Sequence, residues 1–581
     1  MSGIAIQPPA RALRWGLNGL ALLFIALAVV GAVRSYSPVP FSDMWSAYVP
    51  FLDQAANGDW TVWWQQHNEH RVVLARLFFW IDLRWFHGAG WFLIVVNYLL
   101  LALAAMLACR ILRQVTVPPG RELDMKALAA LAVAWLFFWS QWENLTWGFQ
   151  SQFLLAQLLP LAALYALYRS LHGADGLFPL ACLLGILSIG TMANGILALP
   201  LMTVYAALTR QGARRIGILA ALSALMLSAY FQGYASVAAH GSLLQELGEQ
   251  PLRVVRFVLL YLGNPFHFVF GEATFGRTMA QVAGLCFVAA TLRMAWQVGR
   301  QPGQAALPLA MLCYIAFIAG TALGTAGGRL VFGLAQGLSS RYSTPALMAW
   351  FALMVLYAPA LLALQGRRRR QAWGGVAVIA LLMLAYQLHA LNSRAGDLFE
   401  RAVAALAIEL RIKDKAEIAK VYPSTDAIAL SLPASERQRS VFGLYPYQGA
   451  RLRMESVFAP LPLPACQGVL EAAAGIDDDR RFLRIGGWLW DPAGKTVPQV
   501  VRVLDADGRQ VGYALGGQAR ADVAQQVGTG ARWSGFRGYL SSAPMGASVT
   551  LRAEGPAGPF CQLQANVPQQ AGQDIALKSN Q

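Results

Sequence analysis

Residues 15–33, WGLNGLALLFIALAVVGAV, carry no charged side chain and follow a basic flank at Arg11 and Arg14. At about 1.5 Å of rise per residue, a helix over this run reaches about 28 Å, close to the thickness of a bilayer's hydrocarbon core. No small-residue cleavage site followed by a polar mature domain comes after it, so the run reads as a retained anchor with a cytoplasmic N-terminus. The composition agrees. Of the 581 residues 56% are hydrophobic and only 13% are charged, and the mean hydropathy is +0.45. A soluble enzyme and a disordered chain are excluded, and a polytopic membrane protein is expected.

Further apolar runs of crossing length lie near 91–109, 127–141, 151–168, 177–191, 194–209, 216–232, 277–295, 305–325, 343–364 and 372–390. With the first, they predict about eleven transmembrane helices. The net charge of +16 does not indicate nucleic acid, because the basic residues sit in short clusters between apolar runs. Arg110, Arg113, Arg121 and Lys126, then Arg169, then Arg210, Arg214 and Arg215, then Arg293 and Arg300, then Arg367 to Arg370 mark every second loop as cytoplasmic. An odd number of spans exports the region after residue 390. Segment 251–275 would invert the later clusters if it crossed, so it is expected to be re-entrant or interfacial.

The first exported loop, 34–90, is long and rich in tryptophan, and its stretch 71–86 has the mixed charge and apolar character of an interfacial helix. Beyond the transmembrane domain (1–390) the chain divides into a helical or mixed segment (391–458), with helical spacing over 397–412, and a proline-rich linker (459–465). A separate module (466–563) and a flexible tail (564–581) follow. In the module RFLRIGGWLW, VVRVLDADGRQVGYAL and FRGYL read as strands, with a hairpin at Asp507–Gly508. A β-sandwich is expected, stapled across its ends by Cys466 and Cys561 in an oxidising compartment. The other four cysteines lie in apolar runs and read as buried small hydrophobes.

Chemistry concentrates in the exported loops. FSDMW (41–45) places Asp43 just past the first span, and WWQQHNEHR (63–71) gathers His67, Glu69, His70 and Arg71. Ionisable groups packed this densely in an apolar chain point to function. Arg341, in LSSRYSTPALMAW (338–350), lies at the exported start of a span, where charge asymmetry does not account for it. WSQWENLTWGFQSQ (139–152) holds Glu143 among tryptophans, a combination suited to packing on a sugar ring and bonding its hydroxyls. Asn194–Gly195 reads as a hairpin between two spans.

A long exported loop directly after the first span, carrying an acidic residue and followed by an interfacial helix, resembles the C-type (GT-C) glycosyltransferase superfamily. The resemblance covers roughly residues 10–390 and lies in layout more than in sequence. It implies transfer of a sugar from a polyprenyl-phosphate carrier, with inversion, to a glycan, lipid-linked or protein acceptor at the periplasmic face of a bacterial inner membrane. On this basis Asp43 is the expected general base. Arg71, Arg341, His67 and His70 are expected at the donor phosphate, and Glu69, Trp142, Glu143, Trp45 and Tyr342 at acceptor or sugar. The family often pairs two acids where this chain has only Asp43, so a divalent cation (Mg or Mn) held by Asp43, Glu69 and His70 stays open. The exported module resembles, in layout, the carbohydrate-binding domains of membrane arabinosyltransferases, with Trp488, Trp490, Trp533 and Tyr539 either binding glycan or filling its core. An O-antigen-type polymerase or ligase and a lipid-linked-sugar flippase are the competing classes. The first is disfavoured because acids and histidines gather in the first loop, the second because no internal repeat or mid-membrane charge is evident.

Overall fold

The computed structural model describes residues 8–236, 241–301, 305–424, 428, 456–541 and 546–568. Much of the segment up to 455 and most of the expected tail lie outside the described residues. The chain forms two compact units, one of residues 1–36, 57–81 and 91–392, the other of 37–56, 82–90 and 393–581. The exported loop expected at 34–90 is therefore shared between the two.

The first unit is a bundle of apolar helices. Among the described residues nine helices are long and apolar enough to cross a membrane, and two shorter apolar helices, Leu177–Ile189 and Ala193–Leu208, fall where spans five and six were expected. Large side chains such as Leu22, Leu99, Leu292 and Leu381 are exposed on the bundle surface, as expected of a surface facing lipid. Lipid is as apolar as leucine, so close packing and polar links hold such helices together. The Trp135 indole donates to the Leu347 carbonyl at 2.9 Å. Tyr314 donates to Gln157 O at 3.0 Å, and Gln387 donates to Phe24 O at 3.0 Å while accepting from Trp139 N at 2.8 Å.

Segment 251–275 forms helices Pro251–Leu262 and Asn264–Val269. Twelve helical residues rise about 18 Å, too short to cross. A Cβ on Gly263 would meet the Ala280 carbonyl at 1.8 Å, so glycine is what lets this segment pack against helix Thr274–Gly299. Helix Val73–Trp85 lies where the interfacial helix was expected.

The second unit contains a seven-stranded antiparallel sheet: β1 (Gln467–Gly475), β2 (Phe482–Trp490), β3 (Val500–Leu504), β4 (Gln510–Gln518), β5 (Gly535–Ser541), β6 (Ser548–Gly555) and β7 (Gly558–Asn566). Their spatial order is β1-β2-β5-β4-β3-β6-β7. The β module expected here forms, with all seven strands hydrogen-bonded into one sheet. Its edges meet where Cys466 N donates to Gln562 O at 2.9 Å and Gln562 N to Pro464 O at 3.0 Å, and the Cys466–Cys561 disulfide crosses the same seam. The hairpin at Asp507–Gly508 forms, with Gly508 at φ 76° and Asp505 Oδ1 accepting from Asp507 N and Arg509 N. The last strand runs through residues 564–566, which the sequence assigned to the tail.

Helices Ala395–Glu409 and Lys415–Ile418 belong to this unit and are tied to the sheet by charge. Arg537 pairs with Glu400 and, at 3.0 Å, with Glu417, while Arg484 and the Tyr539 hydroxyl both reach Asp414. Burial acts to raise the Glu400 carboxyl, but the hydrogen bonds and charges of Arg537 and Lys420 together hold it below its usual range.

Candidate functional site

The HNEH motif folds as a tight turn. His67 and His70 exchange both backbone hydrogen bonds, at 2.8 and 2.9 Å, and Asn68 takes φ 49°, a left-handed conformation that asparagine tolerates. Glu69 is thereby presented at the tip between the histidines. Its Oε1 lies 3.2 Å from Arg329 NH2 and 3.6 Å from His70 Nε2. His70 Nδ1 accepts from Ala193 N at 3.1 Å, so the neutral ring carries its proton on Nε2, facing Glu69. Asn194 next door bonds Thr321 at 3.1 Å. The expected hairpin at 194–195 thus also orients the histidine.

Arg329, the last residue of helix Ala306–Arg329, escaped the sequence analysis. The signal that singled out Arg341 was available for it too, since both arginines border a span at the end that the basic loop clusters do not mark.

Residues 139–144 and 339–344 are hydrogen-bonded to each other. Ser340 and Ser343 donate to Ser140 O at 2.7 and 3.0 Å. Asn144 donates to Arg341 O at 2.8 Å and to Thr344 at 2.7 Å, while Asn264 holds the Ser339 carbonyl at 3.0 Å and bonds Ser343. Glu143 accepts from Arg341 N at 3.1 Å and from Ser339 Oγ at 3.3 Å. The Glu143 carboxylate thus fixes the main chain beneath Arg341. Tyr342, next to Arg341, is buried between Tyr261 and Phe153. Four charged groups of the first unit, three of them anticipated from the sequence, are thus tied in two pairs, Glu69 with Arg329 and Glu143 with the main chain of Arg341.

Other expectations find different places. Arg71 is buried, and its guanidinium donates to three carbonyls: Tyr230 O at 2.9 Å, Trp64 O at 2.7 Å and Gln232 O at 2.7 Å. It also stacks against Trp64 and Tyr230. Tyr230 O is one of the carbonyls that the end of helix Ala213–Phe231 leaves without an intrahelical partner, and a cation suits that pole of the helix dipole. Arg71 is accordingly a cap and clamp rather than an open phosphate ligand. Arg76 does the same for Trp63 O and Gln65 O, with burial and then the Arg71 charge drawing its pKa down to about 10. His67 packs edge-on to Phe149, and Trp142 packs partly buried against the bundle core.

Asp43 belongs to the second unit. It precedes the short helix Met44–Ala47, after Ser42 at φ 50°, and Ser42 N donates to Val421 O at 2.8 Å. Trp45 is fully buried with its indole N–H on Pro40 O at 2.8 Å, so it shapes this segment and presents no face to a sugar. Nearby, Tyr48 bonds the buried Asp82. Burial pushes the Asp82 carboxyl up to about 6, against the opposing hydrogen bonds of Tyr48 and Gly90 N. Of the aromatics considered for glycan binding, Tyr539 and Trp490 are buried, while Trp488 and Trp533 are half-buried.

The described residues contain no group of three or more His, Cys, Asp or Glu side chains that could hold a metal ion, and Glu69 already faces a guanidinium.

Fold and site together define a class: a multi-pass helical membrane protein with a charged cluster in its bundle and a disulfide-closed β domain. Among solved structures the chain is similar to the crystal structure of ArnT from Cupriavidus metallidurans bound to undecaprenyl phosphate, at 18% identity over 77% of this chain and 82% of that one, with a TM-score of 0.37. The fold assignment rests on the helices and sheet described above, because so low a TM-score adds nothing to it. No protein-family model matches the sequence, and no curated protein does.

Proposed function

We propose that this protein is a membrane glycosyltransferase of the GT-C type, using a polyprenyl-phosphate-linked sugar at the periplasmic face of a bacterial inner membrane. The observation that carries the reading is the pairing of Glu69 with Arg329 at 3.2 Å and of Glu143 with the main chain of Arg341 at 3.1 Å, in a chain of which only 13% is charged. Charges within an apolar bundle are costly and mark where polar chemistry takes place.

In the proposed reaction an acceptor hydroxyl oxygen attacks the anomeric carbon as the bond from that carbon to the phosphate oxygen breaks. The electron pair leaves with the polyprenyl phosphate, and the hydroxyl proton passes to Asp43. Arg341, held by the Glu143 carboxylate below its main chain, and Arg329 stabilise the departing phosphate. Glu69 keeps Arg329 positioned until substrate arrives. The acceptor is a cell-envelope glycan, a lipid-linked glycan or an exported protein.

The test is the composition of envelope glycans and polyprenyl-linked sugars in cells carrying parent, Asp43→Asn or Arg341→Ala protein. Loss of one sugar from a glycan with accumulation of its polyprenyl-phosphate-linked form, in both variants, is expected. Unchanged pools with normal amounts of inserted variant protein would overturn the proposal.

A further inference from the structure

Outside the charged cluster, the first unit contains an open cleft of about 780 Å³, between residues 61–71 and residues 232–236. That volume suits a small-molecule site. Its lining includes Trp64, Gln65, Gln66, Asn68, Arg71 and Gln232. Arg71 alone among the described lining residues is charged, and its three hydrogen bonds go to main-chain carbonyls. What the cleft presents is therefore mainly amides, two hydroxyls and one indole, with three of the five N–H groups of its one cation already donated to main-chain carbonyls.

The two walls are locked together. Gln66 donates to Ala235 O at 2.6 Å and accepts from Ala235 N at 3.0 Å, mimicking a strand pair. Arg71 binds the carbonyls of Tyr230 and Gln232 across the same gap, and the Tyr230 hydroxyl donates to Glu69 O at 2.7 Å. Such cross-links hold the cleft in one shape before a ligand arrives, which lowers the entropy cost of binding. The side-chain amides of Gln65 and Gln232 are exposed and make no hydrogen bond among the described residues.

We propose that this cleft is a subsite for a neutral, hydroxyl-rich sugar unit, a proposal that rests on the transferase reading and extends it. Each amide offers a donor and an acceptor, matching a hydroxyl that is both, and Trp64 supplies an apolar surface for the carbon face of a pyranose. A phosphate would have to share Arg71, which is buried and already donates three of its five N–H groups to main-chain carbonyls. Asn68 lines the cleft and directly precedes Glu69, so a sugar held here lies beside the charged cluster.

The experiment is saturation-transfer NMR on the full purified chain in nanodiscs, with a panel of methyl glycosides of hexoses, pentoses and N-acetylhexosamines, and with inorganic phosphate as competitor. At least one glycoside is expected to bind and to resist displacement by phosphate. Its affinity should fall about tenfold in a Gln65→Ala/Gln232→Ala variant of unchanged melting temperature. Should that variant fail to fold, a diazirine-bearing glycoside on the parent protein should crosslink within 61–71 or 232–236. Absence of glycoside binding, displacement by phosphate, unaltered affinity in the variant or crosslinks elsewhere would overturn the proposal. Glycoside binding without sugar transfer in cells would instead sink the transferase reading alone, and transfer without glycoside binding would sink this one alone.

Discussion

Replacing Arg71 by alanine separates the role expected from its sequence position from the one it has in the fold. The guanidinium satisfies three carbonyls, at 2.9, 2.7 and 2.7 Å. Gln232 is exposed, so water can replace the arginine at that carbonyl. Tyr230 and the Trp64 end of the turn are not so accessible, and a buried polar group left unpaired costs about 1–3 kcal/mol. Two such carbonyls give a loss of about 2–6 kcal/mol, part of it local to segment 230–236, whose anchor is removed. Lysine would not restore it, because one ammonium cannot reproduce a fork directed at three acceptors. Thermal unfolding and limited proteolysis of purified protein check this. Arg71→Ala and Arg71→Lys should both melt several degrees lower and be cleaved faster near residues 230–236, whereas Arg341→Ala should melt like the parent. An Arg71→Ala protein with parental melting and proteolysis, but lost binding of a polyprenyl phosphate, would refute the reasoning and return Arg71 to the substrate.

Other expectations follow from the same geometry. Single Glu69→Gln and Arg329→Ala changes should each lower sugar transfer by about 100-fold or more, and the double change should cost little beyond either one, since the groups act as a pair; additive losses in a double-mutant cycle would contradict this. Asp82, raised to about 6 from a usual carboxylate value near 3.8, favours its protonated form when folded. Its contribution to stability is therefore present at low pH and lost as pH rises through about 6, up to about 3 kcal/mol for a shift of this size. Asp82→Asn should flatten that part of the stability profile between pH 4.5 and 7.5, read by chemical denaturation. Reducing Cys466–Cys561 reopens a loop with a sequence separation of 95, worth about 4–5 kcal/mol of chain entropy. Thiol treatment should therefore lower the melting of the β domain while the helical circular dichroism of the bundle persists.

Much of the architecture was legible because membrane burial writes itself into sequence as long uncharged runs. Each of the eleven expected spans coincides with an apolar helix, and 251–275 was separable because a crossing there would have put the later arginine clusters on the other face. Strands β2 to β5 showed their alternation, but β1 and β7 hide theirs: as the seam of the sheet they expose small and polar residues on both faces. For the same reason the closure of one sheet on itself could not be told from two packed sheets, since strand order is not carried by any local pattern.

The site was half legible. The density of charge at 67–71 located the turn, yet charge alone does not say whether an arginine faces a ligand or a backbone. Arg71 sits opposite the carboxyl end of a helix over 150 residues away in the chain, a contact that no local spacing encodes. Arg329 was overlooked because it closes an apolar run rather than standing in a loop, although its partner Glu69 was recognised. Trp45 was misplaced for a related reason: next to an acidic residue it resembles a sugar platform, while its burial depends on the Pro40 carbonyl that receives its indole.

The central claim is sugar transfer at the paired groups Glu69–Arg329 and Glu143–Arg341, and one measurement reaches it most directly. Membranes from cells expressing parent protein, Arg329→Ala or Arg341→Ala would be compared by mass spectrometry for polyprenyl-phosphate-linked sugars and for the glycans they feed. The account predicts that one lipid-linked sugar accumulates in both variants as the matching residue vanishes from a glycan. Parental sugar pools in both variants, with the proteins inserted at normal levels, would contradict it.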